Sequence, residues 1–179
     1  MRRSRGFTIV ELLIVIVVIG ILAAITIVAY NGVQNRANDA VVQSDLENMA
    51  KAIQSYGAIN GDYPDVTNSA VRTALGLKAT RGSYDVTAPA NSPTDLITRN
   101  LIICIIKTGA TQNFGIAAMS KSGTVYSYSQ SAGAKKEAYT WIGQQSSACP
   151  RLGISNLLDP AYVRAFAFQS DMSGWQAGW

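Results

Sequence analysis

Residues 12–30 contain no charged side chain, and Ile, Val, Leu and Ala fill most of the positions. Counted from Phe7 the run is about 24 residues, long enough as a helix to span a hydrocarbon layer of about 30 Å. Beyond Tyr30 the composition changes to that of a soluble protein, with turn-forming Gly, Asn, Ser and Pro. A chain of 179 residues organised this way reads as a membrane segment joined to one modest globular domain. Inside the apolar run stands a single acidic residue, Glu11. At the centre of a membrane helix such a group costs about 2.5–3.5 kcal/mol, so a plain anchor gains nothing from it.

The formal charge of +4 is distributed just as unevenly. Arg2, Arg3 and Arg5 precede the apolar run, and without residues 1–6 the chain carries twelve basic against eleven acidic side chains. The positive-inside rule places those arginines in the cytoplasm and sends the remainder outward. The composition gives no support for an electrostatic nucleic-acid face. There is no histidine, which excludes a Ser-His-Asp triad, a Cys-His pair and the usual zinc sites within one chain. The two cysteines, Cys104 and Cys149, belong to the outward part, a disulfide-permissive compartment. A bridge between them would close a loop of about 46 residues and stabilise by about 3–4 kcal/mol in the chain-entropy picture. Two buried free thiols are the alternative.

Three readings compete for residues 1–30. A secretory signal would use Ala23 and Ala24 as its cleavage site, but the apolar run continues past them. An uncleaved anchor explains the arginines and the length and leaves Glu11 unexplained. The third reading rests on Arg5-Gly6-Phe7-Thr8-Ile9-Val10-Glu11-Leu12-Leu13. This stretch resembles the prepilins of the type IV pilin family, with a short basic leader, a Gly–Phe junction, a Glu at the fifth position after it, and a long apolar helix. The resemblance implies that a prepilin peptidase cuts between Gly6 and Phe7 and that the new Phe7 amine is methylated. It further implies that Glu11 pairs with the Phe7 amine of a neighbouring subunit, setting the axial register of otherwise featureless helices. Within one chain Phe7 and Glu11 are i and i+4, so pairing inside a single helix is the alternative. Many family members carry a proline later in the helix; here Val28 stands near that place, and Gly20 is the remaining weak point.

Past Tyr30 the helical pattern continues. Val42, Leu46, Met49, Ile53 and Tyr56 alternate at spacings of four and three, an apolar stripe on an amphipathic helix. Arg36 with Asp39 and Glu47 with Lys51 are spaced as ion pairs on its polar faces. Gly57, Gly61 and Pro64 mark its end. The following Asn60-Gly61-Asp62-Tyr63-Pro64 reads as a solvated turn. Asn60, Asp62 and Asp65 suggest a calcium loop only weakly, since their spacing lacks the full EF-hand pattern. Residues 66–95 read as surface loop with a short helix at 69–77. Residues 96–106 form a strand buried on both faces. Residues 114–120 and 124–129 flank Lys121-Ser122-Gly123 as a hairpin, and 138–142 add another strand. The segment from Cys149 to Trp179 reads as irregular, its Tyr162, Phe166, Phe168, Trp175 and Trp179 either packing on the domain or offering a stacking surface.

The expected fold is therefore α+β and pilin-like: a long N-terminal helix whose apolar half protrudes and whose amphipathic half packs on a small antiparallel sheet. The divisions are a leader at 1–6, an apolar helix at 7–30, its amphipathic continuation at 31–57, loops at 58–95, and sheet with irregular C-terminal region at 96–179. The resemblance implies a non-enzymatic filament subunit without cofactor or metal. Its partners would be further copies, other pilins, the prepilin peptidase, and an assembly machine of ATPase and platform protein. It would be a single-pass membrane protein with a cytoplasmic N-terminus before assembly, and then part of a surface filament serving adhesion, motility or DNA uptake. A type II secretion pseudopilin and a membrane-anchored binding or enzymatic domain are the alternatives.

Overall fold

The computed structural model describes residues 7–77, 79–80, 83–84, 99–107, 109, 112–138, 145–154, 162–168 and 175–177. By contacts the chain divides into two compact units, residues 1–36 and 37–179. Helix α1, Ile9–Asn60, supplies the described regular structure of the first and the opening element of the second. In the first unit it continues unbroken through Gly20 and Val28. The large apolar side chains described along it from Ile9 to Val33, Val28 not among them, are all at least about half exposed, so no described residue buries them.

In the second unit one side of α1 is buried, and Val42, Leu46, Met49, Ala50 and Ile53 form that face. Ala50 joins the expected stripe, and Tyr56, counted in it from spacing, is only half-buried. Gly57 does not end the helix. It lies inside, where a Cβ would meet the ring of Tyr63 at 2.8 Å. The stop comes at Gly61, whose φ of 81° is left-handed and whose N–H donates to Gly57 O at 2.9 Å, a one-bond helix cap. The spaced charges do not pair with each other among the described residues. Asp39 instead accepts from the Ser122 hydroxyl, which ties α1 to a hairpin turn. Asp45 accepts from Thr80 N at 2.6 Å and from the Tyr84 hydroxyl at 2.9 Å.

Helix α2, Ser69–Ala74, is shorter than expected and is capped by Asn68, whose side chain accepts from Ala70 N at 2.9 Å. The strands are β1 (Arg99–Ile106), β2 (Asn113–Met119), β3 (Val125–Ser129), β4 (Gly133–Glu137), β5 (Tyr162–Phe168) and β6 (Trp175–Ala177). They make one antiparallel sheet in the order β4-β3-β2-β1-β5-β6. The β2–β3 hairpin turns at Gly123, with φ of 82°.

Two expectations need correction. The strand after β3 lies at Gly133–Glu137, before the segment 138–142, of which 139–142 fall outside the described residues. Small residues and lysines hid it, a composition suited to a sheet edge. The described part of the C-terminal region is regular: it holds β5 and β6, and a third helix α3 (Gln145–Arg151) precedes them. Trp179 lies outside the described residues.

The sheet buries both faces at its centre. Leu101, Ile103 and Ile105 of β1, with Phe114, Ile116 and Ala118 of β2, meet the α1 stripe. Their alternates Ile102, Cys104, Ile106, Ala117 and Met119 meet Ala148, Cys149, Leu152 and Ile154. The two-sided burial read for β1 from its apolar run is observed. The Cys104–Cys149 disulfide, with Cα atoms 5.8 Å apart, fastens α3 to β1 across the second layer. At Gly115 of β2 an added Cβ would lie 2.5 Å from Leu152 Cβ, so only glycine lets that layer close.

Three measurements check this packing. Replacing both cysteines with Ala should lower the unfolding free energy of the folded domain by about 3 kcal/mol in denaturant titration. Gly115→Ala should destabilise by about 1–3 kcal/mol through overpacking, with part of the loss recovered when Leu152→Ala is added. Tyr84 is 1% exposed; burial first, and then the Asp45 carboxylate, push its phenol well above the ordinary range. A raised folded pKa means that this contribution is complete below pH of about 10 and declines above it. Unfolding followed through that range should therefore show a shallower alkaline decline in Tyr84→Phe than in the parent chain.

Candidate functional site

Outside the folded domain, the start of α1 is the place where sequence and geometry disagree with a plain anchor. The helix begins at Ile9, which makes Thr8 its N-cap and Glu11 its third residue. Thr8 N donates to Glu11 Oε2 at 2.8 Å, and the Thr8 hydroxyl donates to the same oxygen at 2.7 Å. In return Glu11 N donates to Thr8 Oγ1 at 3.3 Å. This is a reciprocal capping box, in which the side chains at both ends satisfy backbone N–H groups that the first helical turn leaves open. A carboxylate in the first turn also meets the positive end of the helix dipole, worth about 0.3–1 kcal/mol where exposed.

The cost assigned to Glu11 from its place in the apolar run is thereby reduced in two ways. The residue lies at the end of the span rather than at its centre, about 6 Å along the axis from Phe7. Its charge is also already partnered by two donors. The signal was present in the sequence as Thr8-x-x-Glu11 ahead of an apolar run, a helix-start pattern. The position of the charge in the apolar run masks that spacing from Thr8.

Both bonds to the carboxylate fall on Oε2; among the described residues Oε1 accepts nothing. Phe7 is 83% exposed and makes no described contact with Glu11. Gly6 and the rest of the leader lie outside the described residues. The chain thus presents, at one helix end, an exposed aromatic, a capped carboxylate with one oxygen open, and then an apolar surface exposed all round. Within that surface the Thr26 hydroxyl is satisfied by the helix itself, donating to Ala23 O at 2.9 Å. At its far end stands Tyr30, 63% exposed, a residue type that favours the boundary between apolar and aqueous phases. Helix α1 is the one helix among the described residues long and apolar enough to cross a membrane.

The other sites read from the sequence separate cleanly. Cys104 and Cys149 are joined, at 0% exposure. The weak calcium-loop reading of Asn60, Asp62 and Asp65 finds their side chains turned to different partners. Asn60 Nδ2 donates to Tyr56 O, Asp62 accepts from Gln112 Nε2, and Asp65 pairs with Lys107 at 2.9 Å. Burial acts to raise the Asp65 pKa, but bonds from Thr67 and Lys107 outweigh it and hold the carboxyl below its ordinary value. Among the described residues no group of three His, Cys, Asp or Glu side chains is placed to hold a metal ion.

Residues 1–27 match the family description "Prokaryotic N-terminal methylation motif". The chain is 42% identical over 95 residues to the type IV wide pilus major component PilA4 of Thermus thermophilus, covering 51% of this chain and 71% of that one. It is 34% identical over 93 residues to the type II secretion system core protein G of Klebsiella pneumoniae, covering 52% of this chain and 58% of the relative. With the type IV major pilin protein PilA of Myxococcus xanthus it shares 35% identity over 91 residues, covering 49% of this chain and 39% of the relative. Of these last two relatives the chain spans less than two thirds. The methylation motif lies on the helix start just described, and the likeness to PilA4 reaches far beyond it: the chain belongs to the type IV pilin family.

Proposed function

We propose that this chain is the structural subunit of a type IV pilus-like filament. It is made as a prepilin, cut by a prepilin peptidase between Gly6 and Phe7, methylated on the Phe7 amine, and assembled through its apolar helix. In this reading residues 1–6 are the leader, 7–30 the membrane and then filament-core segment, and 31–57 its continuation into the folded domain. The observation that carries the reading is the open Oε1 of Glu11 at the entry of a helix whose apolar surface is exposed on every side.

Cleavage would create an ammonium at Phe7, and in an apolar core of packed helices an ammonium and a carboxylate stabilise each other where either alone is penalised. Thr8 keeps one Glu11 oxygen for the helix's own cap, and the other is available for the amine of a neighbouring copy. Pairing between subunits then selects one axial offset among many that bare Ile, Val and Leu surfaces would accept equally. Before assembly the same helix holds the precursor in the membrane with its N-terminus in the cytoplasm. Assembly would use an ATPase and a platform protein, with further copies and other pilins as neighbours. The role is mechanical, without enzymatic activity or cofactor.

A type II secretion pseudopilin is the second reading, favoured by the match to core protein G. It shares the helix and its processing and differs in filament length and task. Deleting the subunit separates them, since loss of surface filaments supports the pilus and loss of protein secretion supports the pseudopilin.

The register role is tested with two substitutions and three readouts. Glu11→Val should insert and be cut normally, giving a mature N-terminus at residue 7, yet yield no filaments by electron microscopy. Thr8→Val keeps the Glu11 charge and removes the hydroxyl from the cap, weakening the helix end by about 0.5–2 kcal/mol while filaments still form. Filaments of normal yield from Glu11→Val would sink the register role, and a mature N-terminus at residue 1 would sink the prepilin reading.

A further inference from the structure

We propose that Asn60–Gly61 is a site of spontaneous deamidation whose rate is set by a lock of three hydrogen bonds at the end of α1. The chain contains two Asn-Gly pairs, Asn31–Gly32 and Asn60–Gly61. Glycine after asparagine leaves the following backbone nitrogen unshielded, because no Cβ stands beside it. That nitrogen can attack the side-chain amide carbon. A new N–C bond forms, the side-chain nitrogen leaves as ammonia with the proton released by the attacking N–H, and a five-membered succinimide remains. Water then opens either ring carbonyl, giving aspartate or isoaspartate. The net change is amide plus water to carboxylic acid plus ammonia, with no oxidant or reductant required.

The two pairs have the same chemistry and different settings. Gly32 lies in the interior of α1, with helix continuing on both sides and its N–H committed to the ladder. Gly61 lies just past the last helical residue, exposed, with φ of 81° and open space where a Cβ would be. Its N–H, the attacking group, donates to Gly57 O at 2.9 Å. The leaving nitrogen, Asn60 Nδ2, donates to Tyr56 O at 2.9 Å. The next peptide, Gly61–Asp62, is held from the far side, as Gln112 Nε2 donates to Gly61 O at 3.0 Å. Nucleophile and leaving group are thus both occupied, but by terminal bonds on an exposed helix end. Such ends open at far lower free energy than helix interiors.

The product does not restore the lock. A carboxylate at position 60 has no N–H for Tyr56 O, adds negative charge at the negative end of the helix dipole, and stands close to Asp62. Isoaspartate also lengthens the backbone at the cap by one carbon. Each conversion therefore leaves the turn between α1 and Tyr63 looser than before, and it accumulates with age in one direction.

The test incubates the full-length chain in detergent micelles at mildly alkaline pH and maps aspartate and isoaspartate at both positions by peptide mass spectrometry. Asn60 should convert at least about tenfold faster than Asn31 in the folded chain, since only its turn opens by end fraying. In urea the two should convert at similar rates, which assigns the difference to the fold. Gln112→Ala should speed conversion at Asn60 by several-fold and leave Asn31 unchanged. Equal rates in the folded chain, a difference that persists in urea, no conversion at Asn60, or an unchanged rate in Gln112→Ala would each overturn the proposal.

Discussion

Strand β1 is the element on which the rest of the folded unit depends. Residues 101–105 are fully buried, with odd-numbered side chains against the α1 stripe and even-numbered ones against α3 and Leu152. It pairs with β2 on one side and β5 on the other. Both cores therefore share one strand, and a disturbance on either face is transmitted through the same backbone. The disulfide at Cys104 anchors the strand's second face, where the covering layer is a short helix with little apolar area of its own. A covalent tie is most useful where burial alone is thin.

What the sequence revealed follows from how strongly each element depends on its own residues. An apolar run of about 24 residues has one economical solution, and the Val42–Ile53 stripe continues it with unmistakable period. The β2–β3 hairpin is legible because alternating residues flank a Lys-Ser-Gly turn, and the cysteine pairing because the chain has only two thiols, each with one possible partner within it. Strand β4 was displaced because Gly133-Ala134-Lys135-Lys136-Glu137 lacks strand-forming residues; its conformation is imposed by pairing with β3. β5 was missed for the opposite reason, its Tyr162 and Phe166 drawing a reading as isolated aromatics. Its place is fixed by β1's open edge, a non-local demand that no local window contains.

At the candidate site the sequence supplied the residues but not their local arrangement. Phe7 and Glu11 stand out by charge and position, whereas the partner that holds Glu11 is Thr8. One carboxylate can serve two purposes because it has two oxygens, and the capping box uses only one. Stabilising the helix end and setting the offset between copies are then compatible demands rather than competing ones. A residue that looks costly to a solitary membrane helix is inexpensive at that helix's first turn.

Among the described residues the sheet ends on one side at β4, with no described strand along its outer edge. Lys135 reaches Glu137 at 3.2 Å, and Lys136 is exposed beside it. A second strand approaching that edge would have to displace or bury ammonium groups. For a member of a family whose subunits assemble side by side, sheet-to-sheet pairing between copies would be a hazard. The lysines make this sheet edge a poor surface for a second strand, and the exposed apolar helix surface is left as the more favourable place for copies to meet.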